Sequence, residues 1–253
     1  MIQQNQQENG IRTERRVCEI HGFYTAFIGQ LMDGTEHASP CPVCKEIDDQ
    51  RNWLTQSYGS QLVTNRLIEA GVPEDIADIT FQNMPRGLRD NHILVSSCKK
   101  LVEGKINSLV LLGGNGVGKT TLAIATLADI VERSLAEERQ LSLHYTTETK
   151  LLRSLKTTFS RKDGPTEQDI IDRMSKLDVL VIDEVGWAKD SEYNLLALQE
   201  IIDARHRSKR TIILGNPTEN DFKQHLTESS RSKLSMNGLS HEIQDIDHRR
   251  EMR

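Results

Sequence analysis

Four apolar residues, Leu109–Leu112, run directly into Gly113-Gly114-Asn115-Gly116-Val117-Gly118-Lys119-Thr120, and an Ala- and Leu-rich stretch follows from Thr121. Few structures accommodate a buried strand, a glycine-rich turn, Lys-Thr and a helix in that order. Glycines let backbone N–H groups turn inward around phosphate oxygens, and the helix N-terminus adds partial positive charge. Gly113, Asn115, Gly116, Val117, Gly118, Lys119, Thr120 and Thr121 therefore read as a phosphate cradle. Lys119 is expected to reach the β- and γ-phosphates and Thr120 to offer its hydroxyl oxygen to Mg2+. ATP with Mg2+ is the expected cofactor. The alternative, a glycine turn with no ligand, explains less of the pattern.

A second apolar run, Val179–Ile182, ends in Asp183 and Glu184. In open α/β sheets ligands bind beyond the C-terminal ends of the strands, which is where these carboxylates would stand. Asp183 is expected in the Mg2+ shell. Glu184 is placed to orient and deprotonate an attacking water, which favours hydrolysis over transfer to a small metabolite. One carboxylate could instead cap the following turn. Thr211–Leu214 is a further strand, ending in Gly215-Asn216. If it lies beside the Asp183 strand, Asn216 can share the attacking water and sense the γ-phosphate; otherwise it is a turn residue before Pro217.

Apolar runs alternate with helical stretches throughout this half of the chain. Strands are expected at Ser108–Leu112, Leu141–Tyr145, Asp178–Ile182 and Thr211–Leu214, with a weak last one at His241–Ile246. Helices are expected at Thr120–Ala136, Glu148–Phe159, Thr166–Ser175 and Tyr193–His206, with a short one at Thr218–Leu226. The fold class is α/β, a parallel sheet between helix layers. Aromatic residues make up only 4% of the 253, so the core must be aliphatic. No apolar run approaches the ~18 residues of a membrane span. A soluble protein is expected, cytoplasmic in a bacterium or in the bacterial host of a phage, with no membrane partner.

The N-terminal part differs in character. Cys18-x2-His21 and Cys41-x2-Cys44 each have the gap that points two donors at one tetrahedral ion. Residues 11 to about 45 read as a knuckle holding structural zinc, with four protein ligands and no open position for catalytic water. Free thiols in a reducing compartment are the alternative; His37 is a weaker substitute for His21, and Cys98 reads as a small apolar residue. Met1–Gly10 is Gln- and Asn-rich and is expected to be disordered. Residues 47–70 carry helical periodicity, ended by Gly71 and Pro73, so the domains are expected to divide as 1–70 and 71–253.

Net charge is −5, so any nucleic-acid contact must be local. Residues 1–60 hold five basic against eight acidic side chains, which disfavours phosphate contact by the knuckle and favours recognition of a protein. Residues 150–162 carry five basic side chains and no acid. Lys150, Arg153 and Lys156 share one helix face, while Leu151, Leu152 and Leu155 can pack inward. Phe159 could stack on a base. These four residues are the candidate contacts for single-stranded DNA; a solvated amphipathic helix is the plainer alternative.

Several pieces in one order then resemble the AAA+ ATPases of the DnaC/IstB group, the replicative-helicase loaders and transposase helpers. They are Thr80-Phe81-Gln82-Asn83, the glycine-rich turn, Val181–Gly186, Ile201–Arg205, Gly215-Asn216-Pro217 and Ser230–Leu234. The resemblance covers about two-thirds of the chain, from Phe81 to about Arg250. It implies that Asn216 is a γ-phosphate sensor and that Arg231 reaches across a subunit interface to a neighbour's ATP, so that copies associate through their ATP sites. The usual Gly-Glu-Arg before that arginine is replaced by Thr227-Glu228-Ser229, and Arg205 is the other candidate. Arg249 or Arg250 could act as a C-terminal sensor. The resemblance further implies a loader that grips a hexameric replicative DNA helicase through the zinc module and single-stranded DNA through the ATPase domain. Its alternatives are a transposase helper on duplex DNA, or an ATP-gated scaffold that hydrolyses little.

Overall fold

The computed structural model describes residues 12–18, 20–30, 36–158, 164–186, 192–216, 222 and 225–243, with the backbone alone at 30 and 47–58. Phe159, Arg249 and Arg250, and most of the short helix expected at Thr218–Leu226, lie outside the described residues. The chain forms two compact units, Met1–Ser60 and Gln61–Arg253. The division falls within helix α1 (Pro42–Glu69), ten residues before the expected boundary. Leu67 explains the difference: it is fully buried in the hydrophobic core of the second unit. Gly71 and Pro73 mark where a helix stops, which a sequence cannot distinguish from a domain seam.

The first unit holds an antiparallel sheet in the order β1 (Arg12–Cys18), β2 (Gly22–Gln30), β3 (Glu36–Ala38). This sheet is absent from the sequence expectation because Arg12-Thr13-Glu14-Arg15-Arg16 shows no apolar alternation. As an edge strand, β1 is exposed on both faces and needs none. The pattern survives on β2, where Ala26 and Ile28 are buried and Phe23 and Phe27 exposed. Among the described residues of this unit only Ala26, Ile28 and Cys41 are buried and apolar.

The second unit is built on a five-stranded parallel sheet in the order β5-β6-β7-β4-β8. Its strands are β4 (Ser108–Gly113), β5 (Leu143–Thr147), β6 (Val179–Val185), β7 (Arg210–Gly215) and β8 (Gly238–Ile243). Between them run α4 (Lys119–Ala136), α5 (Glu148–Thr157), α6 (Glu167–Lys176), α7 (Glu192–Arg205) and α8 (Glu228–Met236). Helices α2 (Arg86–Arg89) and α3 (His92–Val102) precede β4. The middles of the central strands, Leu109–Leu112, Val179–Ile182 and Ile212–Leu214, are continuously apolar because both faces are covered. Leu109, Leu111, Val179, Val181, Ile212 and Leu214 point into the core with α3 and α4. Val110, Leu112, Leu180, Ile182 and Ile213 point into the other, with α5, α6, α7 and α8. Gly71, with φ of +101°, sits where a Cβ would come within 2.6 Å of the Tyr145 carbonyl oxygen. Among the described residues no helix is long and apolar enough to cross a membrane.

Arg205 is corrected here as a candidate for the arginine acting across an interface. It is 0% exposed. Its guanidinium donates to the carbonyls of Met174 (2.6 Å), Leu177 (2.8 Å) and Arg210 (2.6 Å) and to Thr211 Oγ1 (3.0 Å). It ties the end of α6 to the start of β7 and cannot reach a neighbour. Arg205→Ala is expected to destabilise the second unit by about 3–5 kcal/mol in urea unfolding, because it orphans several buried acceptors and leaves a cavity.

Candidate functional site

The turn after β4 brings the phosphate-cradle residues to the C-terminal edge of the sheet. Gly118 has φ of +91°, and a Cβ there would collide with the side chain of Leu88 on α2. Glycine is therefore required twice over, by backbone conformation and by packing. Lys119 is buried, and its Nζ donates to the carbonyls of Gly113 (2.8 Å) and Gly114 (2.6 Å). The loop thus holds its own lysine against its backbone.

Thr120 and Asp183, 63 residues apart, meet: Thr120 Oγ1 donates to Asp183 Oδ2 at 2.9 Å. Octahedral Mg2+ with oxygens at about 2.1 Å sets adjacent ligands about 3.0 Å apart, so the pair fits two neighbouring vertices. Tyr145 on β5 donates its hydroxyl to the same Oδ2 at 2.7 Å. Burial, then the charge of Asp183, pushes the Tyr145 phenol well above its ordinary range, so it remains a donor. No motif in the sequence marks Tyr145 as part of the site. Chain order alone does not reveal that β5 lies beside β6, where Tyr145 pairs with Val181.

Glu184 follows Asp183 in a left-handed conformation, φ +59°, and its N–H donates to Asp183 Oδ1 at 2.6 Å. The ladder to β7 shifts register between Ile182 and Val185. Asp183 is buried and Glu184 exposed, so this corner separates two adjacent carboxylates into different environments. Because β7 lies directly beside β6, the condition set for Asn216 is met: it follows Gly215, the partner of Val185, at the same sheet edge.

Arg231 lies on α8, whose first turn is capped by Thr227 accepting from Ser230 N at 3.1 Å. The departure from Gly-Glu-Arg therefore serves as a helix cap. Arg231 is half-buried, its Nε has no hydrogen-bond partner among the described residues, and it lines a cavity of about 360 Å³ with Val110, Leu112 and Leu234. Lys233, two residues on, pairs with Asp203 of α7 at 2.6 Å and anchors the helix. On α5 the expected division holds: Leu151, Leu152 and Leu155 are buried, and Lys150, Arg153 and Lys156 are exposed.

In the first unit, Cys18, His21, Cys41 and Cys44 converge, with one donor atom of each within 4.8 Å of the others. Cys18 and His21 flank the β1–β2 turn, and Cys41 and Cys44 stand at the start of α1. His37, on β3, is outside the cluster. The Cys18 and Cys44 sulfurs are 3.6 Å apart, and His21 Nδ1 lies 3.7, 3.8 and 3.3 Å from the sulfurs of Cys18, Cys41 and Cys44. Tetrahedral zinc with bonds of about 2.3 Å to sulfur and 2.0–2.1 Å to nitrogen requires edges of about 3.8 and 3.6 Å. The donors fit that ion. The backbone N–H groups of His21 and Ile20 hold the Cys18 thiol down at about 6. Sharing a hydrogen bond with Cys18 pushes Cys44 up to about 11. Cys98 is buried in the second unit's core, as an apolar residue would be.

The family model of IstB-like ATP-binding proteins matches residues 61–251. The chain belongs to this family. It is 30% identical over 146 residues to the replicative helicase loader DnaC of Escherichia coli K12, covering 56% of this chain and 57% of that one. It therefore spans little more than half the length of that relative. A solved DnaC helicase loader superposes with a TM-score of 0.56 at 22% identity, over 68% of this chain and all of that one. The replication initiator DnaA bound to AMPPCP and single-stranded DNA superposes with a TM-score of 0.52 at 19% identity, over 66% of this chain and 50% of that one. The α/β fold is that of an AAA+ P-loop domain.

Proposed function

We propose that this protein is an ATP-dependent loader that delivers a hexameric replicative DNA helicase to single-stranded DNA. The observation that carries the proposal is the pairing, in one chain, of a loader-like AAA+ domain with a four-donor metal cluster. The cluster holds zinc and shapes a small module that recognises the helicase. In the AAA+ domain Lys119 and the loop amides hold the ATP phosphates, and Thr120 and Asp183 hold Mg2+, which screens the phosphate charge when bound. Glu184 takes the proton of the attacking water, and Asn216 aligns that water with the γ-phosphate. Arg231 acts on ATP bound to a neighbouring copy, so assembly and hydrolysis are linked. Lys150, Arg153, Lys156 and Phe159 bind the strand, and hydrolysis serves as the release switch.

The test is delivery of the cognate replicative helicase to a single-stranded circle, with and without this protein and ATP. Helicase on the circle only when both are present supports the loader. Stable binding to duplex DNA and a transposase, with no helicase delivered, would establish the transposase helper that the IstB-like family match also allows. The double charge reversal R153E/K156E is expected to weaken oligonucleotide binding at least about tenfold and to flatten the log–log salt slope by about 1.4. Unchanged affinity and slope would remove α5 from the strand-binding surface.

A further inference from the structure

We propose that Glu148, the first residue of α5, is a positioning residue for Glu184, and that it joins the catalytic corner to the basic helix. The inference rests on the reading of Glu184 as the water-activating carboxylate and of α5 as the strand-binding helix.

Glu148 is only 4% exposed. An acidic residue in a helix's first turn gains from the helix dipole while remaining in water. Burial removes that solvation and requires compensating hydrogen bonds. Glu148 Oε2 accepts the N–H of Gly186 at 3.0 Å, a contact across 38 residues that lands two positions beyond Glu184. That segment needs an external support. Glu184 has φ of +59°, a conformation that disfavours side chains, and the register shift between Ile182 and Val185 interrupts the ladder to β7. Two carboxylates brace the corner: Asp183 on the Glu184 amide and Glu148 on the Gly186 amide. Asp183 belongs to the metal. Glu148 is thus the brace supplied from another element.

The same helix is keyed to β6 from below. Leu151, Leu152 and Leu155 pack in one cluster with Leu180 and Ile182. Lys150, Arg153 and Lys156 face outward from it. A strand that shifts α5 acts on Gly186 through Glu148, and so on the direction in which Glu184 points. Occupancy of the basic face then sets the rate of hydrolysis without altering nucleotide affinity.

Two substitutions separate position from charge. E148D keeps the charge and the dipole interaction but draws the carboxylate back by one methylene. E148Q loses the charge and keeps an acceptor at the same reach. In the full chain, E148D is expected to bind a fluorescent ATP analogue within about threefold of wild type while kcat falls at least about tenfold, a misplacement effect. Hydrogen exchange at the Gly186 amide should accelerate in E148D, and an oligonucleotide should alter that exchange in wild type and E148Q only. E148Q should restore most of kcat. Wild-type kcat and exchange in E148D would overturn the proposal, as would an E148Q protein as slow as E148D. If E184Q keeps full turnover, the water-activation reading itself fails. Loss of turnover in E184Q with none in E148D overturns the positioning role alone.

Discussion

Glu184→Gln is expected to bind ATP as tightly as wild type and to lose turnover by about 10²- to 10⁴-fold, the usual range for a positioned general base. The expectation follows from how the corner divides its work. Asp183 is buried and accepts from Thr120 and Tyr145, which sets it at the proposed metal position. Glu184 is turned outward by its left-handed backbone and, among the described residues, makes no side-chain hydrogen bond to the glycine-rich loop, so it is expected to contribute little to affinity. Glutamine keeps the shape and removes only the basicity. Equilibrium binding of a fluorescent ATP analogue and single-turnover hydrolysis measure the two quantities separately. If hydrolysis persists at the wild-type rate, the ATP-gated scaffold becomes the better account, because the domain would then act through nucleotide occupancy alone.

The second large effect is expected on metal removal. The four donors join the β1–β2 turn to the start of α1, so an ion held there ties together segments distant in the chain. Structural zinc sites in small peptides supply about 10–16 kcal/mol of apparent binding free energy, which is also folding free energy. A strong chelator should therefore unfold the first unit and release one zinc per chain, read with a metallochromic dye. Limited proteolysis should then digest the chain up to α1 and spare the second unit, whose core does not involve the cluster. ATP binding should survive chelation, and helicase capture should be lost. Equal protease resistance with and without chelator would show that the four donors stabilise nothing.

These two centres were legible in the sequence because each is a local pattern. A phosphate loop needs glycines at a fixed distance from Lys-Thr, and a metal knuckle needs donors two residues apart; both constraints act over a few bonds. The alternation of apolar runs with amphipathic stretches was equally local and led to the parallel sheet. Helix α3 was not among the expected elements, although Leu94, Cys98 and Leu101 recur at helical spacing and are buried. The first unit's sheet was not legible. Its edge strand carries charge on both faces, and periodicity reports burial rather than strand geometry.

Chain order favours consecutive strands such as β5, β6 and β7 as neighbours but does not fix where β4 and β8 join them, because that depends on how the long crossovers pack. Only the sheet order β5-β6-β7-β4-β8 brings Tyr145 to Asp183 and sets Asn216 beside the same edge. Only the packing of α6 and α7 against β7 turns Arg205 from a candidate for an interface into a buried tie. Glu148 is one more acid at a helix start until the fold carries Gly186 to it. The phosphate loop, the paired carboxylates and the metal donors were thus determined by the sequence itself, since short-range covalent geometry suffices to specify them. The tertiary structure alone decided which distant side chains brace, orient and connect them, since those contacts exist only once the hydrophobic faces on both sides of the sheet have been buried.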